Sequence, residues 1–495
     1  MKKLSNLLLY PFLFSVYPFV SLLGSNIREV QLAETWHMFA FSLLFGTLVL
    51  LIAKAFVKNW NIAGVITAIV TVSFFSYGHV YDILGNAGQL GHHRILLPFY
   101  LILTGLGIFG VLKGSTKAIH STPMLNLIGV VLVVMPIIQI GGFGVDYFLT
   151  NQTNQSDTPA QVGGGDSEKP DIYYMILDGY GRNDVLLNRF GFDNKPFLDK
   201  LTERGFYVAT CASSNYGHTR QSVGSSLHMN YLQAVFNYTG SVPTWKNTEA
   251  IRDLRNQGYK IVAFNNGLPE ILDLESDVLI SRPDTQLNPF DALFLNTTMY
   301  SAVTDLSSIY PGLLGMDPEY QTYLWRYKDD RYFLDELPRI PTSIKGPKFV
   351  YFHIVAPHSP YVIGADGSFA FKELGNGYVN QAMYLDSRLP DIIDSIIANS
   401  TIPPVIIMQG DHGPPVQGEI TVGDRLSILN AYYMPGHNQN LYNKISPVNT
   451  FRIVFNSYLG YHYPLLPDIR YYTAKQGLKD ALTAQPSFEE NPACK

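Results

Sequence analysis

Two short polar segments follow apolar runs, and each contains residue types that bind metal ions. Asp178 ends one run, and the adjacent pair Asp411 and His412 ends another, with a glycine beside each segment. Two carboxylates and one imidazole offer oxygen and nitrogen donors that suit Zn²⁺ or Mn²⁺. An aspartate followed by glycine also commonly forms a turn, so neither segment is specific alone. Together, at the ends of apolar strands in one domain, they predict a divalent-metal site.

A third segment supplies a candidate nucleophile. Residues 213–229 are rich in hydroxyl side chains and have the pattern of a loop followed by a helix. Thr219 lies near the predicted helix start, where backbone N–H groups and the helix dipole favour an anion. A hydroxyl activated there by a metal could attack a phosphoryl or sulfuryl centre, and Arg220 could hold the anionic oxygens. The alternative is that Thr219 or Ser214 only caps the helix.

Two histidines, His353 and His358, lie five residues apart around the end of another apolar run. His358 belongs to a Pro-His-Ser-Pro segment. Because ligands of open parallel sheets bind beyond the carboxyl ends of the strands, both histidines are candidates for the same site.

The elements that must position these residues alternate between short apolar runs and amphipathic stretches. Strands alternating with helices predict a mostly parallel sheet covered on both faces. The segment 283–345 is aromatic-rich and irregular, which fits either a cap over the site or an insertion. The predicted strands are 172–177, 206–209, 260–264, 348–354, 405–409 and 429–434, and the predicted helices are 195–204, 219–232, 248–257, 379–398 and 449–458.

The first part of the chain has a different composition. Five apolar runs each approach the ~20 residues that span a bilayer, and only helices span it in an open chain. A polar, Gly/Ser/Thr-rich tether follows. We therefore predict a five-helix transmembrane domain at 1–148, a flexible linker at 149–170 and a catalytic α/β domain at 171–495. The apolar runs are 7–24, 37–57, 62–78, 95–112 and 124–144.

Basic residues near the runs predict the orientation. If five spans alternate, six lysines fall on one side, whereas Arg28 and Arg94 fall on the other. The positive-inside rule then places the N-terminus in the cytoplasm and the domain after the spans outside. The six lysines are Lys2, Lys3, Lys54, Lys58, Lys113 and Lys117.

Composition excludes two further classes. The net charge of −5 gives no nucleic-acid footprint. The two cysteines, Cys211 and Cys494, exclude a framework of several disulfides. They could pair, but the sequence does not require it, and we expect two inert thiols.

With these motifs in place, the chain resembles the alkaline phosphatase superfamily, in its sulfatase-like branch. That branch includes sulfatases, lipoteichoic acid synthases and lipid A phosphoethanolamine transferases. The resemblance covers about residues 170–470, and the five-span first part resembles the membrane-bound members. It rests on Asp178, the Thr219 loop and helix, the His358 segment and the Asp411–His412 pair, in matching order and spacing.

The resemblance implies a role for each residue. Asp178, Asp411, His412 and Thr219 would bind one divalent metal, Mn or Zn, with Mg or Ca as other options. Thr219 would also be the nucleophile and form a phospho-threonine. His358 and His353, with Arg220, would contact the substrate's anionic group or protonate the leaving group. The implied partners are the lipid bilayer, a phospholipid donor and an envelope glycan or lipid acceptor.

The sequence departs from the family pattern in its cysteine segment and in the histidines after the Asp411–His412 pair. Cys211 begins Cys-Ala-Ser-Ser-Asn rather than the Cys-x-Pro-x-Arg segment from which sulfatases make formylglycine. The first histidine after the Asp411–His412 pair is His437, which lies past another strand, so one metal is expected rather than two. The leading hypothesis is a phospho-substituent transferase. An outward-facing phosphatase, phosphodiesterase or sulfatase and a catalytically silent lipid-binding homologue are the alternatives.

Overall fold

The computed structural model contains the whole chain and describes it over most of its length. The described residues are 7–27, 30, 32, 35–84, 93–114, 120–153, 169–236, 245, 247–268, 270–283, 289–302, 317–372, 375–474, 478–486 and 494.

The described chain begins with long helices and continues with alternating strands and helices. The strands are β1 (Ile172–Leu177), β2 (Tyr207–Val208), β3 (Lys260–Phe264), β4 (Val278–Ile280), β5 (Lys348–Ile354), β6 (Val405–Gln409) and β7 (Asn430–Tyr433). The helices are α1 (Tyr10–Asn26), α2 (Trp36–Phe56), α3 (Trp60–Leu84), α4 (His93–Lys113), α5 (Thr122–Thr153), α6 (Asn183–Phe190), α7 (Lys195–Glu203), α8 (Thr219–Leu227), α9 (Leu232–Val235), α10 (Glu249–Asn256), α11 (Glu270–Asp273), α12 (Pro289–Asn296), α13 (Pro318–Glu336), α14 (Ile340–Ser343), α15 (Gly377–Asn399), α16 (Val422–Leu426), α17 (Pro447–Tyr458) and α18 (Leu478–Thr483).

The chain divides into two compact units. The first contains Met1–Gln155 and Thr285–Trp325, and the second contains Ser156–Asp284 and Arg326–Lys495. Helix α5 continues to Thr153, and residues 154–168 of the predicted linker lie outside the described residues. Part of the segment 283–345 therefore belongs with the N-terminal helices.

The first unit is a bundle of apolar helices. Among the described residues, α2, α3, α4 and the first 21 residues of α5 are long and apolar enough to cross a membrane. Helix α1 has 17 residues, at the lower limit of the ~17–25 that span the hydrocarbon. The chain is an integral membrane protein with an N-terminal helical region, as the sequence predicts.

Small and polar residues stabilise the helix bundle, because the hydrophobic effect does not drive helix association within a lipid bilayer. Asn126 of α5 accepts hydrogen bonds from the backbone N–H groups of Leu9 and Tyr10, at 3.2 and 2.9 Å. These amides begin α1 and have no partner within that helix. Gly46 of α2 faces Ser15 of α1 so closely that a Cβ would lie 1.9 Å from the serine Oγ.

The segment that returns to the first unit packs through aromatic rings. Phe294 of α12 lies 5.8 Å from Phe75 of α3 and 6.4 Å from Phe19 of α1, between ring centroids. The N–H of Gly78 donates to the carbonyl of Thr297 at 3.0 Å. The sequence of segment 283–345 fits either a cap or an insertion. Its residues 289–302 form an insertion that packs on the membrane helices.

The second unit is built on a seven-stranded sheet with the order β2-β7-β6-β1-β5-β3-β4. The five strands from β6 to β4 are parallel, and β7 pairs antiparallel with β6 and β2. All residues of β1, β5 and β6 are buried, as expected for parallel strands covered on both faces. The prediction of a mostly parallel α/β sheet is confirmed.

The register brings the candidate site residues to one edge of the sheet. Ile176 of β1 pairs with His353 of β5 on one side and with Gln409 of β6 on the other. Asp178 and Asp411 each lie two residues beyond this level. The two carboxylates therefore lie side by side because parallel strands end at the same edge.

One half-buried carboxyl near this edge makes stability depend on pH. Tyr180 donates a hydrogen bond to Asp386 at 2.5 Å. Burial raises the pKa of Asp386 to about 7, although the Tyr180 hydrogen bond lowers it in part. The folded state therefore retains a proton that the unfolded chain loses near pH 4, and stability falls as pH rises from about 4 to 7.

We expect Asp386→Asn to remove this loss, which amounts to at most ~1.4 kcal/mol per pH unit. The asparagine oxygen still accepts from Tyr180 and carries no charge. The measurement is the Tm of the full-length protein in detergent at pH 5 and pH 8. The variant should gain most over the wild type at pH 8, and an equal change at both pH values would contradict this account.

Candidate metal centre and active site

Asp178, Asp411 and His412 converge beyond the ends of β1 and β6. One donor atom from each lies within 4.8 Å of the others, and all three side chains are buried. Asp178 Oδ1 lies 3.6 Å and Asp411 Oδ2 lies 3.3 Å from His412 Nε2. The structure thus brings together the three residues that the sequence predicts as metal ligands.

Close backbone contacts require the glycines that flank the Asp411–His412 pair. A Cβ on Gly410 would lie 2.3 Å from the carbonyl oxygen of Tyr180, and one on Gly413 would lie 2.5 Å from that of Asp424. A side chain at either position would push the turn away from its neighbours. Glycine therefore lets this turn reach the sheet edge.

The unused hydrogen-bonding atoms of the two carboxylates point to a cation. Asp411 Oδ1 accepts hydrogen bonds from the N–H groups of Gly179 and His412, each at 2.9 Å. Asp411 Oδ2 and Asp178 Oδ1 are buried and have no hydrogen-bond partner among the described residues. Buried carboxylate oxygens are normally paired, so the chemistry of this donor set fits a divalent metal.

The protonation state of His412 is also the one that a metal ligand needs. Its Nδ1 lies 3.0 Å from the carbonyl oxygen of Gly413, which can only accept, so Nδ1 carries the proton and Nε2 presents a lone pair. Burial lowers the pKa of His412 to about 4, although the charge of Asp411 opposes this. The imidazole is therefore neutral at neutral pH, as a metal ligand must be.

Asp178 remains ionised although it is buried in the same cluster as His412. Burial alone would raise its pKa, but His353, His358 and His412 together lower the pKa below its usual range. Its backbone N–H donates to Ile354 of β5 at 3.1 Å. Gly179, which follows, has a φ of +76°, a conformation that glycine adopts without strain.

Thr219 begins helix α8, and its hydroxyl faces the three clustered donors. Thr219 Oγ1 lies 3.3 Å from His412 Nε2. The N-cap position belongs to His218, which makes no side-chain capping hydrogen bond. Ser214 is five residues before the helix and is directed to the carbonyl of Leu426. The alternative that Thr219 or Ser214 caps this helix does not describe the structure.

The other candidate residues lie around this cluster in different environments. His358 is partly exposed, and its ring centroid lies 6.0 Å from that of His412. Arg220 forms an ion pair with Glu270, so holding an anion would require this pair to open. His353 has no exposed side-chain surface, which does not fit the predicted contact with a substrate. His437 packs on Tyr458.

Arg425 is a supporting residue that the sequence motifs do not indicate. Its buried guanidinium donates to the carbonyls of Gly217 and Gly413, each at 2.9 Å. It therefore ties the loop before Thr219 to the turn after His412. Its partners are about 200 and 12 residues away in sequence, so no local pattern predicts these contacts.

Two further buried side chains near the site lie on helices. The hydroxyl of Tyr378 on α15 donates to the carbonyl of Gly179 at 2.8 Å and accepts from the N–H of Gly181 at 3.1 Å. Asp330 on α13 is a buried carboxyl. Burial raises the pKa of Asp330 to about 7, although the nearby charges of Arg326 and His353 oppose this. A tyrosine and an aspartate within long helices give no signal of a site in the sequence.

The two cysteines form a disulfide in the second unit. Cys211 and Cys494 are bonded, with their Cα atoms 5.5 Å apart. The expectation of two inert thiols is wrong, because a pairing across 283 residues depends on the tertiary fold. Since Cys211 is paired, it is excluded as a formylglycine precursor as well.

Comparison with known proteins identifies the family. The sequence profile of the sulfatase family matches residues 170–452, more than half of the 495-residue chain. The chain therefore belongs to the sulfatase family, and the resemblance inferred from the motifs is confirmed. Comparison with curated proteins finds no significant match.

Several solved structures have a similar fold. The C-terminal periplasmic domain of EcEptC from Escherichia coli, in complex with Zn, has 13% identity and a TM-score of 0.41, covering 64% of this chain and 94% of that one. The membrane protein lipooligosaccharide phosphoethanolamine transferase A from Neisseria meningitidis has 13% identity and a TM-score of 0.40, covering 92% and 94%. The 2-O GAG sulfatase BT1596 has 10% identity and a TM-score of 0.40, covering 60% and 72%.

Proposed function

We propose that this protein is a metal-dependent transferase that moves a phospho-substituent from a membrane phospholipid to an envelope glycan or lipid. The substituent is of the phosphoglycerol or phosphoethanolamine type. The observation that carries the proposal is the threonine hydroxyl 3.3 Å from His412 Nε2, beside two buried carboxylate oxygens without hydrogen-bond partners among the described residues.

Asp178, Asp411, His412 and Thr219 would hold the metal. The mixed oxygen and nitrogen donors favour Zn²⁺ or Mn²⁺, and Mg²⁺ or Ca²⁺ would use the oxygens alone. When bound, the metal supplies positive charge that lowers the pKa of the threonine hydroxyl and offsets charge on the phosphoryl oxygens.

Thr219 is the proposed nucleophile. Its Oγ1 forms a bond to phosphorus while the bond from phosphorus to the diacylglycerol oxygen breaks. The threonine proton passes to solvent as the bond forms, and the departing oxygen takes a proton from His358, so diacylglycerol is released. An acceptor hydroxyl then attacks the phospho-threonine and restores the free side chain. The start of α8 places backbone N–H groups near the transferred anion.

His358 is the proposed proton donor to the departing oxygen. Its Nδ1 lies 2.6 Å from the carbonyl oxygen of Ser359, which holds the ring and leaves Nε2 for the substrate. The side chain is partly exposed, as a group that meets a substrate must be. Arg220 is the proposed contact for the substrate's anionic oxygens once Glu270 releases it.

The membrane unit supports a lipid donor. Helices α1, α3 and α5 enclose a cavity of about 440 Å³, within the ~300–1,000 Å³ typical of ligand sites. Its polar lining includes Ser25 of α1 and both Ser76 and His79 of α3, near the later ends of these helices. Alternating spans put those ends on the same outer side. Polar groups within spans commonly mark ligand sites, and a headgroup above acyl chains would match this lining.

The orientation is proposed from two features. The six lysines beside the spans place the N-terminus in the cytoplasm. The Cys211–Cys494 disulfide supports an extracytoplasmic second unit, because disulfides persist in oxidising compartments.

A transferase and a hydrolase differ in the fate of the headgroup. The full-length protein is reconstituted in vesicles that contain phospholipid labelled in its headgroup phosphate, with Zn²⁺ or Mn²⁺ and an envelope lipid acceptor. We expect diacylglycerol and labelled acceptor in equal amounts. Release of labelled water-soluble phosphate ester would instead identify a phosphodiesterase. Metal binding without any turnover of phosphate or sulfate esters would point to a silent lipid-binding homologue.

A further inference from the structure

His353 is buried directly behind Asp178. It lies at the second-to-last position of β5 and has no exposed side-chain surface. Its Nε2 lies 3.4 Å from Asp178 Oδ2, and its carbonyl accepts a hydrogen bond from Asn266 at 3.0 Å. A side chain enclosed in this way does not contact a substrate, and its influence on the site passes through buried neighbours such as Asp178.

Tyr351 determines which nitrogen of His353 faces the carboxylate. The two side chains lie on the same face of β5, with the tyrosine hydroxyl 3.4 Å from His353 Nδ1. Burial raises the pKa of Tyr351 well above its usual value, so the hydroxyl keeps its proton and can donate it to Nδ1. With Nδ1 accepting from Tyr351, Nε2 carries a hydrogen on the side of Asp178 Oδ2, at 3.4 Å, a contact longer than a normal hydrogen bond.

The two oxygens of Asp178 consequently have different surroundings. Oδ2 faces His353, whereas Oδ1 lies 3.6 Å from His412 Nε2. Oδ1 has no hydrogen-bond partner among the described residues. This contact restrains the carboxylate, because turning it away from His353 would leave the Nε2–H group facing no carboxylate oxygen.

We propose that Tyr351 and His353 form a positioning pair that fixes Asp178 so that Oδ1 alone is presented to the metal. The inference rests on the proposed function, because it assigns Asp178 as a ligand. His353 would then affect metal affinity and would not contact the substrate. Partners that orient a ligand in this way typically contribute 10–100-fold to metal affinity.

The test measures the Kd for Zn²⁺ of the full-length protein in detergent, by competition with a chelating dye. We expect His353→Leu to weaken Zn²⁺ binding 10–100-fold. His353→Gln keeps an N–H group near the position of Nε2, so its affinity should stay within a few-fold of the wild type. Tyr351→Phe should give a smaller loss than His353→Leu, because the imidazole remains but its tautomer is no longer fixed.

Tyr173→Phe is the matched control. It removes a buried tyrosine hydroxyl from β1, on the opposite face of the strand from Tyr174, and should leave the Kd unchanged. If His353→Leu does not fold, the comparison of Tyr351→Phe with Tyr173→Phe decides, since the proposal requires the first variant to lose Zn²⁺ affinity and the second to keep it. Wild-type affinity in folded His353→Leu, or equal losses in the leucine and glutamine variants, would overturn the positioning role. A wild-type protein that binds no metal would instead reject the proposed function.

Discussion

Replacement of Thr219 by alanine is expected to lower turnover by ~10⁴-fold or more, as loss of a nucleophile does in enzymes with a covalent intermediate. The reason is that no other described hydroxyl has the same position, 3.3 Å from His412 Nε2. The fold should persist because the N-cap position of α8 belongs to His218 rather than to Thr219. The measurement is diacylglycerol release by the full-length protein in vesicles, together with its Tm.

Two variants on the same helix control for this substitution. Thr219→Ser keeps a hydroxyl and should recover a measurable part of the activity. Ser222→Ala removes a buried hydroxyl one turn further along α8 and should retain wild-type turnover. Normal activity in Thr219→Ala, or equal losses in all three variants, would reject Thr219 as the nucleophile.

A large loss of metal affinity is expected for Asp411→Asn. This variant distinguishes the hydrogen bonds that Asp411 Oδ1 accepts from metal binding by Oδ2. Oδ1 accepts the N–H groups of Gly179 and His412, and an asparagine oxygen can keep both hydrogen bonds. The amide nitrogen then replaces Oδ2, which has no hydrogen-bond partner in the described structure. We therefore expect a folded protein whose metal affinity falls by more than the ~100-fold that outer-shell changes cause.

The comparison for this variant is Asp386→Asn, which also neutralises a carboxyl, one that is half-buried. Asp386 contacts Tyr180 rather than the predicted ligands, so its variant should bind Zn²⁺ like the wild type. The Kd for Zn²⁺ and turnover are measured for both proteins. Undiminished Zn²⁺ binding by Asp411→Asn would show that Asp411 is not a ligand.

Most of the α/β architecture is predictable from the sequence because its strands are continuous apolar runs. The bounds of β1, β3, β5 and β6 agree with the predicted strands. Parallel pairing then places Asp178 beside Asp411 without further information. Thr219 is predictable for a related reason, since a hydroxyl-rich loop before a helix places a side chain at a helix start.

Contacts between distant residues are not predictable in this way. Arg220 and His353 have residue types suited to an anion site, but Glu270 pairs with the first and the sheet buries the second. Arg425 connects two loops through backbone carbonyls, which leave no pattern in the sequence. The membrane-packed start of the segment 283–345 is another example, because its aromatic residues suit a cap and a bundle equally.

The most direct test of the central claim is a search for a covalent phospho-substituent on Thr219. Purified full-length protein is incubated with Zn²⁺ or Mn²⁺ and phospholipids, quenched, and analysed by intact mass and peptide mapping. An added phosphoethanolamine or phosphoglycerol group is expected on the peptide that contains Thr219, and it should be absent in Thr219→Ala and absent with a chelator. Steady turnover of the donor with no adduct at any time point, or an adduct that persists in Thr219→Ala, would contradict the central claim.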